Sequence, residues 1–164
     1  TSATDKTRIE VALGNRILAN EGVLDAFGHV SIRNPENPNR YFLSRSRAPE
    51  LVTPDDVIEY TLDSAAVSPT DRPQYSERVI HGEIYKARPD VNAVAHHHAM
   101  AFLPFCNTGK KLEALYHMGA QIGDEGVHGV GVGAERLGCR VGTRPQHRPA
   151  HNRPFGIAGH LNAD

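Results

Sequence analysis

The sequence predicts a single domain of the α/β or α+β class, built around one layered sheet. Its 164 residues suit one domain, because chains divide into several domains mainly beyond about 250 residues. Hydrophobic residues make up 39% of the chain and charged residues 23%, which is typical of a globular protein and not of a disordered one. Helix-like and strand-like patterns of apolar residues alternate over positions 1–124.

The first part of the chain is predicted to form one helix and three short strands. An amphipathic helix is expected over 5–21. Its apolar face is expected to consist largely of Ile9, Val11, Ala12, Leu13, Ile17 and Leu18. Strand patterns cover 26–33, 41–44 and 57–62. Segment 34–39 is rich in Asn and Pro and predicts a turn, so the first two strands should form a hairpin-like pair.

A second helix and a buried strand follow. Ser76 is predicted to cap a helix from about Glu77 to Ala87, and Arg88-Pro89-Asp90 ends it. Val91 to His98 is predicted to be a buried strand, and residues 99–104 should begin a further helix.

Composition excludes several functional classes. The formal net charge is -1, which argues against a protein that binds nucleic acid through bulk positive charge. No apolar run approaches the roughly 20 residues of a membrane span, and the N-terminus shows no signal-peptide pattern. Two cysteines, Cys106 and Cys139, cannot form a disulfide framework, so a cytoplasmic protein is expected.

The histidines indicate a metal site. Ten are present, and three are consecutive at 96–98. Side chains alternate along a strand, so His96 and His98 should share one face while His97 points to the other. Two such imidazoles can bind one divalent metal. Glu77, on the preceding helix, could reach the same site as a ligand or a general base.

A His-x-His pair alone can also be exposed or incidentally hydrogen-bonded. The carboxylate-bearing helix directly upstream favours metal binding over that alternative. His81 lies one helical turn after Glu77 and is expected to orient or pack rather than to bind metal. His97 is expected to be structural.

Residues 76–98 carry the pattern S-E-x-x-x-H-x-x-I-Y-x-x-R-P-D-V-x-A-V-x-H-x-H, which resembles the class II aldolase/adducin family. Gly-His-Val-Ser at 28–31 and Leu-Val-Thr-Pro-Asp-Asp-Val at 51–57 support the resemblance. It covers about residues 6–124. It implies a three-layer α/β/α fold with a mostly antiparallel sheet, and a homotetramer with active sites at subunit contacts.

The resemblance also implies a ligand set. His96 and His98 would bind a divalent ion such as zinc, manganese or iron. Glu77 would act as the acid/base and as an occasional further ligand. His29 stands where the family usually has Asn, and it could carry a proton if it faces the metal.

The substrate class is predicted from the segment Ser44–Glu50, which contains Arg45, Ser46 and Arg47. Guanidinium groups bind planar carboxylates with two hydrogen bonds. The segment resembles the branch that decarboxylates hydroxylated aromatic acids, such as dihydroxyphthalate and hydroxy-methylpyridine-dicarboxylate. Ser46 and Ser76 would contact the substrate. Alternatively, the arginines could form a solvated edge or a subunit salt bridge.

The predicted function is that of a metal-dependent carbon–carbon lyase acting on a small carboxylate, with neither nucleic acid nor membrane as a partner. Decarboxylation of a hydroxylated aromatic or heteroaromatic acid is the preferred reaction. The alternatives are an aldolase acting on a small hydroxy-carbonyl or sugar-phosphate substrate, an iron-dependent oxidative decarboxylase, and a non-enzymatic adducin-like scaffold. The presence of Glu77, His96 and His98 argues against the adducin-like scaffold, which lacks the histidine ligands.

Segment 125–164 has a different composition, with eight Gly, five Arg, four His and no Lys. We expect a frameshifted or otherwise aberrant tail, so that the family domain would be incomplete at its C-terminus. The family supplies a third histidine ligand later in the chain, but His160 is not expected to serve as one. Such a chain should bind metal weakly and show little or no activity.

Overall fold

A computed structural model of the chain describes residues 2–108 and 156–159. Its elements, in chain order, are α1 (Ala3–Asn20), β1 (His29–Arg33), β2 (Arg40–Ser44), β3 (Val57–Thr61), α2 (Arg78–Ala87), β4 (Ala93–His97), α3 (Leu103–Thr108) and β5 (Gly156–Gly159). Two short 3-10 turns, Pro49–Leu51 and Pro54–Asp56, lie between β2 and β3.

The strands form one sheet in the order β3-β2-β1-β4-β5. The pairings of β3 with β2, of β2 with β1 and of β1 with β4 are all antiparallel. β5 pairs with β4 in parallel, with Ala158 opposite His96. The predicted hairpin of β1 and β2 is therefore present, and β1 occupies the centre of the sheet.

The two helices cover opposite faces of this sheet. Tyr41 and Leu43 belong to a core cluster that also contains Tyr85 of α2. Phe42, which alternates with them along β2, packs instead with Val11 of α1. The arrangement confirms the predicted α/β/α class with a mainly antiparallel sheet.

The predicted apolar face of α1 needs correction. Ile9, Leu13 and Ile17 are 42%, 50% and 57% exposed, whereas Val11 and Asn15 are fully buried. Residues four apart share a helix face, so the exposed and buried sets lie on opposite sides of α1. Polar Asn15 can be buried because its side chain binds the Val30 N–H and the Val11 carbonyl, which fixes α1 against β1.

Two element boundaries also differ from the predictions. β1 begins at His29 and not at 26, because the Asp25 side chain accepts the Phe27 and Gly28 N–H groups and closes a turn. Glu77 rather than Ser76 is the N-cap residue of α2, and it makes no side-chain capping bond. α3 starts at Leu103, inside the predicted range 99–104, after a turn at 99–102.

Most of the segment predicted to be aberrant lies outside the described residues, which include only 156–159 of it. That stretch is β5. The proposed frameshift at 125–164 remains a prediction, and so does the role of His160. In the part of the chain that the structure describes, no helix is long and apolar enough to cross a membrane.

Candidate metal centre

Two histidines face each other across neighbouring strands. His29 of β1 lies directly opposite His96 of β4 in the antiparallel register. Opposite residues in such a pair project to the same face of the sheet. The two imidazole rings stack with their centroids 5.0 Å apart, and both side chains are fully buried.

Glu77 approaches this pair from the N-cap position of α2. Its Oε2 lies 3.5 Å from Nε2 of His29 and 3.4 Å from Nε2 of His96. The three residues each offer one ligand atom, and these atoms all lie within 4.8 Å of one another. The carboxylate is the partly exposed member of the group, with 28% of its side chain accessible.

These distances suit a small divalent ion. Zinc binds imidazole nitrogen and carboxylate oxygen at about 2.0–2.2 Å, and tetrahedral geometry then separates two ligand atoms by about 3.4 Å. Both nitrogen–oxygen separations at Glu77 are close to that value. They are also longer than an ordinary hydrogen bond between these atoms. Donor type and spacing therefore fit a metal ion.

His98 lies just after the end of β4 and next to the cluster without being part of it. Its ring meets the His96 ring edge-on at a centroid distance of 4.9 Å. Its Nδ1 lies 2.9 Å from Oδ2 of Asp25. His97 packs separately: its ring contacts Phe102, and its Nδ1 accepts the Ala99 N–H.

A buried series of hydrogen bonds begins at Nδ1 of His29, the ring nitrogen that does not face Glu77. That nitrogen lies 2.9 Å from Nε2 of His81, and Nδ1 of His81 lies 2.6 Å from the Ser31 hydroxyl. Ser31 in turn lies 2.8 Å from the Tyr85 hydroxyl. The contact with His29 gives His81 an orienting position, as the sequence suggested.

Burial sets the charge state of these two imidazoles. It lowers the pKa of His29, although Glu77 opposes the shift. It lowers the pKa of the fully enclosed His81 further, and the neighbouring His29 and His96 add to that effect. Both rings are therefore neutral near pH 7, and each can donate a hydrogen bond from one ring nitrogen and accept one at the other.

The two arginines predicted to bind substrate converge on Asp56. Nε of Arg45 donates to Oδ1 of Asp56 at 2.6 Å, and Arg47 donates to both carboxylate oxygens at 3.0 and 3.2 Å. Burial alone would raise the pKa of Asp56, but hydrogen bonds from Arg45, Thr53 and Arg47 outweigh it and hold the pKa well below its ordinary value. Some of the N–H donors of each guanidinium therefore bind Asp56 and stabilise the loop that carries the two arginines.

Tyr75 links this loop to the metal cluster. Its hydroxyl accepts the Arg47 N–H and donates to the Arg47 carbonyl, and its ring lies 4.1 Å from the His29 ring. Ser46 and Ser76 are both exposed, and the Ser46 N–H donates to the Pro73 carbonyl. The arginine loop is thus tied beside the histidines.

Sequence reasoning missed Tyr75 and Asp25. Tyr75 directly precedes Ser76, but no periodicity marks it, because it lies in an irregular segment. Asp25 could have been noticed as a turn-forming acid three residues before Gly28. Nothing in the sequence connects it to His98, which is 73 positions away.

Comparison with known proteins identifies the class. The sequence matches the family described as Class II Aldolase and Adducin N-terminal domain over residues 9–150. The chain therefore belongs to that family, which confirms the resemblance. The matched span continues past residue 124, where the sequence analysis ended the family domain.

Among curated proteins, the chain is 43% identical over 112 residues to "Decarboxylase tropJ" of Talaromyces stipitatus, covering 67% of this chain and 42% of that protein. It is 34% identical over 90 residues to "Decarboxylase NovR" of Streptomyces niveus, covering 54% and 33%. It is 38% identical to a methylthioribulose-1-phosphate dehydratase of Gluconacetobacter diazotrophicus, covering 56% and 43%. The chain thus spans less than half the length of these relatives.

A solved structure gives the same fold. The L-fuculose 1-phosphate aldolase of Glaciozyma antarctica superposes with a TM-score of 0.65 at 27% identity, covering 72% of this chain and 50% of that one. An aldolase II superfamily protein of Pseudomonas syringae gives 0.68 at 20% identity, which supports the fold alone.

Proposed function

We propose that this protein is a divalent-metal-dependent lyase that decarboxylates a hydroxylated aromatic or heteroaromatic carboxylic acid. The observation that carries the proposal is the cluster of His29, Glu77 and His96, whose ligand atoms lie within 4.8 Å of one another. Similarity to two proteins named decarboxylases, one of them 43% identical, favours this reaction among those of the family.

Glu77 and His96 are the proposed central ligands, because they belong both to the set predicted from sequence and to the cluster in the structure. His98 is proposed as the further ligand, since its ring lies against that of His96. The ion would act as a Lewis acid on a hydroxyl–carboxylate pair of the substrate. The fully buried imidazoles would keep water away from one side of the site.

His29 is proposed to carry the proton. Loss of CO₂ leaves a carbanion that must be protonated, and Nε2 of His29 faces the same carboxylate as His96. The donor and acceptor roles in the hydrogen bonds from His29 through His81 to Ser31 can reverse, because each imidazole can donate or accept and the hydroxyl can rotate. His29 can therefore present an N–H to the carbanion, and the partly exposed Glu77, whose Oε2 lies 3.5 Å from Nε2 of His29, would return a proton from solvent to that nitrogen after each turnover.

Arg45 and Arg47 are proposed to bind a substrate carboxylate with the donors that Asp56 leaves unused. Arg45 uses its Nε and Arg47 one terminal nitrogen in the contacts to Asp56. A guanidinium has five N–H donors, so each arginine retains several. The proposal also includes Ser46 and Ser76, which are exposed near this loop and near Glu77 respectively.

Oxidative decarboxylation with iron and O₂ is the second candidate. A relative in Streptomyces roseochromogenus, 33% identical over 90 residues, is named as a 4-hydroxy-3-prenylphenylpyruvate oxygenase/4-hydroxy-3-prenylbenzoate synthase. Histidine and carboxylate ligands serve iron as well as zinc, so the donor set is compatible with both reactions.

The test is CO₂ release from a panel of hydroxybenzoic, hydroxyphthalic and hydroxypyridine-carboxylic acids, after loading with zinc, manganese or iron, with and without oxygen. We expect a full-length form of the protein to release CO₂ anaerobically, and its Glu77→Gln variant to release little while keeping its fold. Strictly oxygen-dependent release would establish the second candidate instead. Cleavage of sugar phosphates without CO₂ release, or equal rates in the two chains, would contradict the proposal.

The same preparations test the remaining proposals. Metal content after dialysis should be one ion per chain, and it should be lost when His96 and His98 are both replaced by Ala. We further propose a homotetramer that works in the cytoplasm. Light scattering would measure the mass of the assembly, and cell fractionation would measure the compartment.

A further inference from the structure

We propose that Asp25 is a positioning residue that fixes the tautomer and ring orientation of His98, so that Nε2 of His98 is available to the metal. The inference rests on the proposed function, because it assigns the support of one proposed ligand. The observation behind it is the 2.9 Å contact between Oδ2 of Asp25 and Nδ1 of His98.

The two carboxylate oxygens of Asp25 have different partners at this turn. Its Oδ1 accepts the Phe27 N–H at 3.0 Å and the Gly28 N–H at 2.8 Å, while Oδ2 is directed at His98. An ionised carboxylate can only accept hydrogen bonds. Nδ1 of His98 must therefore be the donor, and in the neutral ring Nε2 then carries the lone pair.

This arrangement is the usual support of a metal-binding histidine. Such residues commonly donate their second ring N–H to a carboxylate, which fixes the tautomer and the orientation of the ring. His98 needs this support, because it lies beyond the last residue of β4 and has no strand pairing of its own among the described residues. The His98 side chain is 21% exposed, so the contact lies at the edge of the site.

The same turn also positions the neighbouring histidine. The chain passes from Asp25 through Gly28 into β1, where His29 pairs with His96. Gly28 packs closely there: a Cβ at this position would lie 2.9 Å from Leu24 and 3.2 Å from the His96 carbonyl. One short turn thus holds His29 beside His96 through the backbone and His98 beside His96 through the Asp25 side chain.

Asp25→Asn tests the inference. The Oδ1 of Asn can still accept the two turn N–H groups, whereas its amide nitrogen replaces Oδ2 and can only donate. Nδ1 of His98 must then accept, which moves the ring proton to Nε2, the proposed metal-binding atom. We expect zinc affinity to fall by about 10- to 100-fold, the usual loss when such a partner is removed.

The matched control is Asp90→Asn. Asp90 is also an exposed acid, and its carboxylate accepts two hydrogen bonds from the Arg88 side chain instead of contacting a histidine. We expect this variant to bind zinc as the parent does. Nitrogen-15 NMR of the metal-free proteins should show the His98 proton on Nδ1 in the parent and in Asp90→Asn, and on Nε2 in Asp25→Asn.

The outcomes separate the two proposals. A parent chain that binds no zinc would refute the proposed metal site, while the tautomer measurement would still test Asp25. Equal zinc affinity in the parent and in Asp25→Asn, or an unchanged tautomer, would overturn the inference. If Asp25→Asn unfolds at a lower urea concentration than the parent, a double-mutant cycle separates lost stability from lost support of His98. In a His98→Ala background, adding Asp25→Asn should not weaken zinc binding further. An equal loss of zinc affinity in both backgrounds would refute the inference.

Discussion

Replacing Gly82 by Ala should destabilise the protein and displace the metal cluster, although Ala is the better helix former. Gly82 lies in α2, one residue after His81. An added Cβ would lie 2.4 Å from the Leu62 carbonyl oxygen and 2.5 Å from the Ser64 hydroxyl. Neither can yield easily, because the first is backbone and Ser64 is held by the Tyr41 hydroxyl and the Arg78 carbonyl.

The magnitude follows from two opposing effects. Ala in place of Gly inside a helix favours folding by about 1 kcal/mol. Restoring ordinary contact with the Leu62 carbonyl would require α2 to move outward by about 1 Å. Overpacking of this kind costs about 3 kcal/mol at the upper end of the typical range. We therefore expect a net loss of about 2 kcal/mol in the free energy of unfolding.

Gly14→Ala is the matched control, because it makes the same change inside helix α1. There the new Cβ would meet only Val30, at an ordinary 3.6 Å, so a gain of about 1 kcal/mol is expected. Urea unfolding of both metal-free variants should give shifts of opposite sign. Zinc affinity should fall only in Gly82→Ala, because Glu77 and His81 move with α2. A Gly82→Ala protein at least as stable as the parent would refute the close packing of α2.

Two further predictions concern buried polar groups. Asp56→Asn should lower the free energy of unfolding by about 2 kcal/mol at pH 7, because it breaks contacts to two partly exposed arginines. The pKa of Asp56 is lower in the folded state than in the unfolded state. The parent therefore has this extra stability above about pH 4 and loses it as the pH falls further. The urea midpoints of parent and variant should converge in acid. Ser31→Ala should cost about 1–3 kcal/mol by thermal unfolding, because it leaves buried His81 and Tyr85 without their common partner. A melting temperature within 1 °C of the parent's would contradict this chain of hydrogen bonds.

Strand periodicity was sufficient to predict which of the consecutive histidines share a face. His96 is buried beside His29, while His97 contacts Phe102 on the other side, as alternation along β4 requires. The register between strands, by contrast, could not be predicted from the sequence. His29 and His96 are 67 positions apart in sequence, and only the pairing of β1 with β4 places them opposite each other. That pairing depends on the whole sheet, so no local pattern reveals it.

The same limit explains the arginine loop. Arg45 and Arg47 are predicted to bind a substrate carboxylate, whereas the carboxylate that they contact in the structure is Asp56 of the same chain. Asp56 is placed there by the 3-10 turn Pro54–Asp56, in which the Thr53 and Asp56 side chains form a capping box. Residue type thus predicts the kind of contact, whereas the partner depends on how the loop folds back.

The geometry of the metal cluster depends on how closely α2 packs against the neighbouring backbone, as well as on the ligand residues themselves. The three clustered donor atoms come from β1, α2 and β4, and Glu77 precedes the first helical residue of α2. Sheet pairing holds the two strands, whereas α2 is held by hydrogen bonds to Ser31 and by packing, which leaves no room for a Cβ at Gly82 beside the Leu62 carbonyl. A carboxylate at the end of a helix moves with that helix. The distance from Glu77 to the two histidines therefore depends in part on the close approach at Gly82, which is why a substitution there should weaken metal binding without changing a ligand.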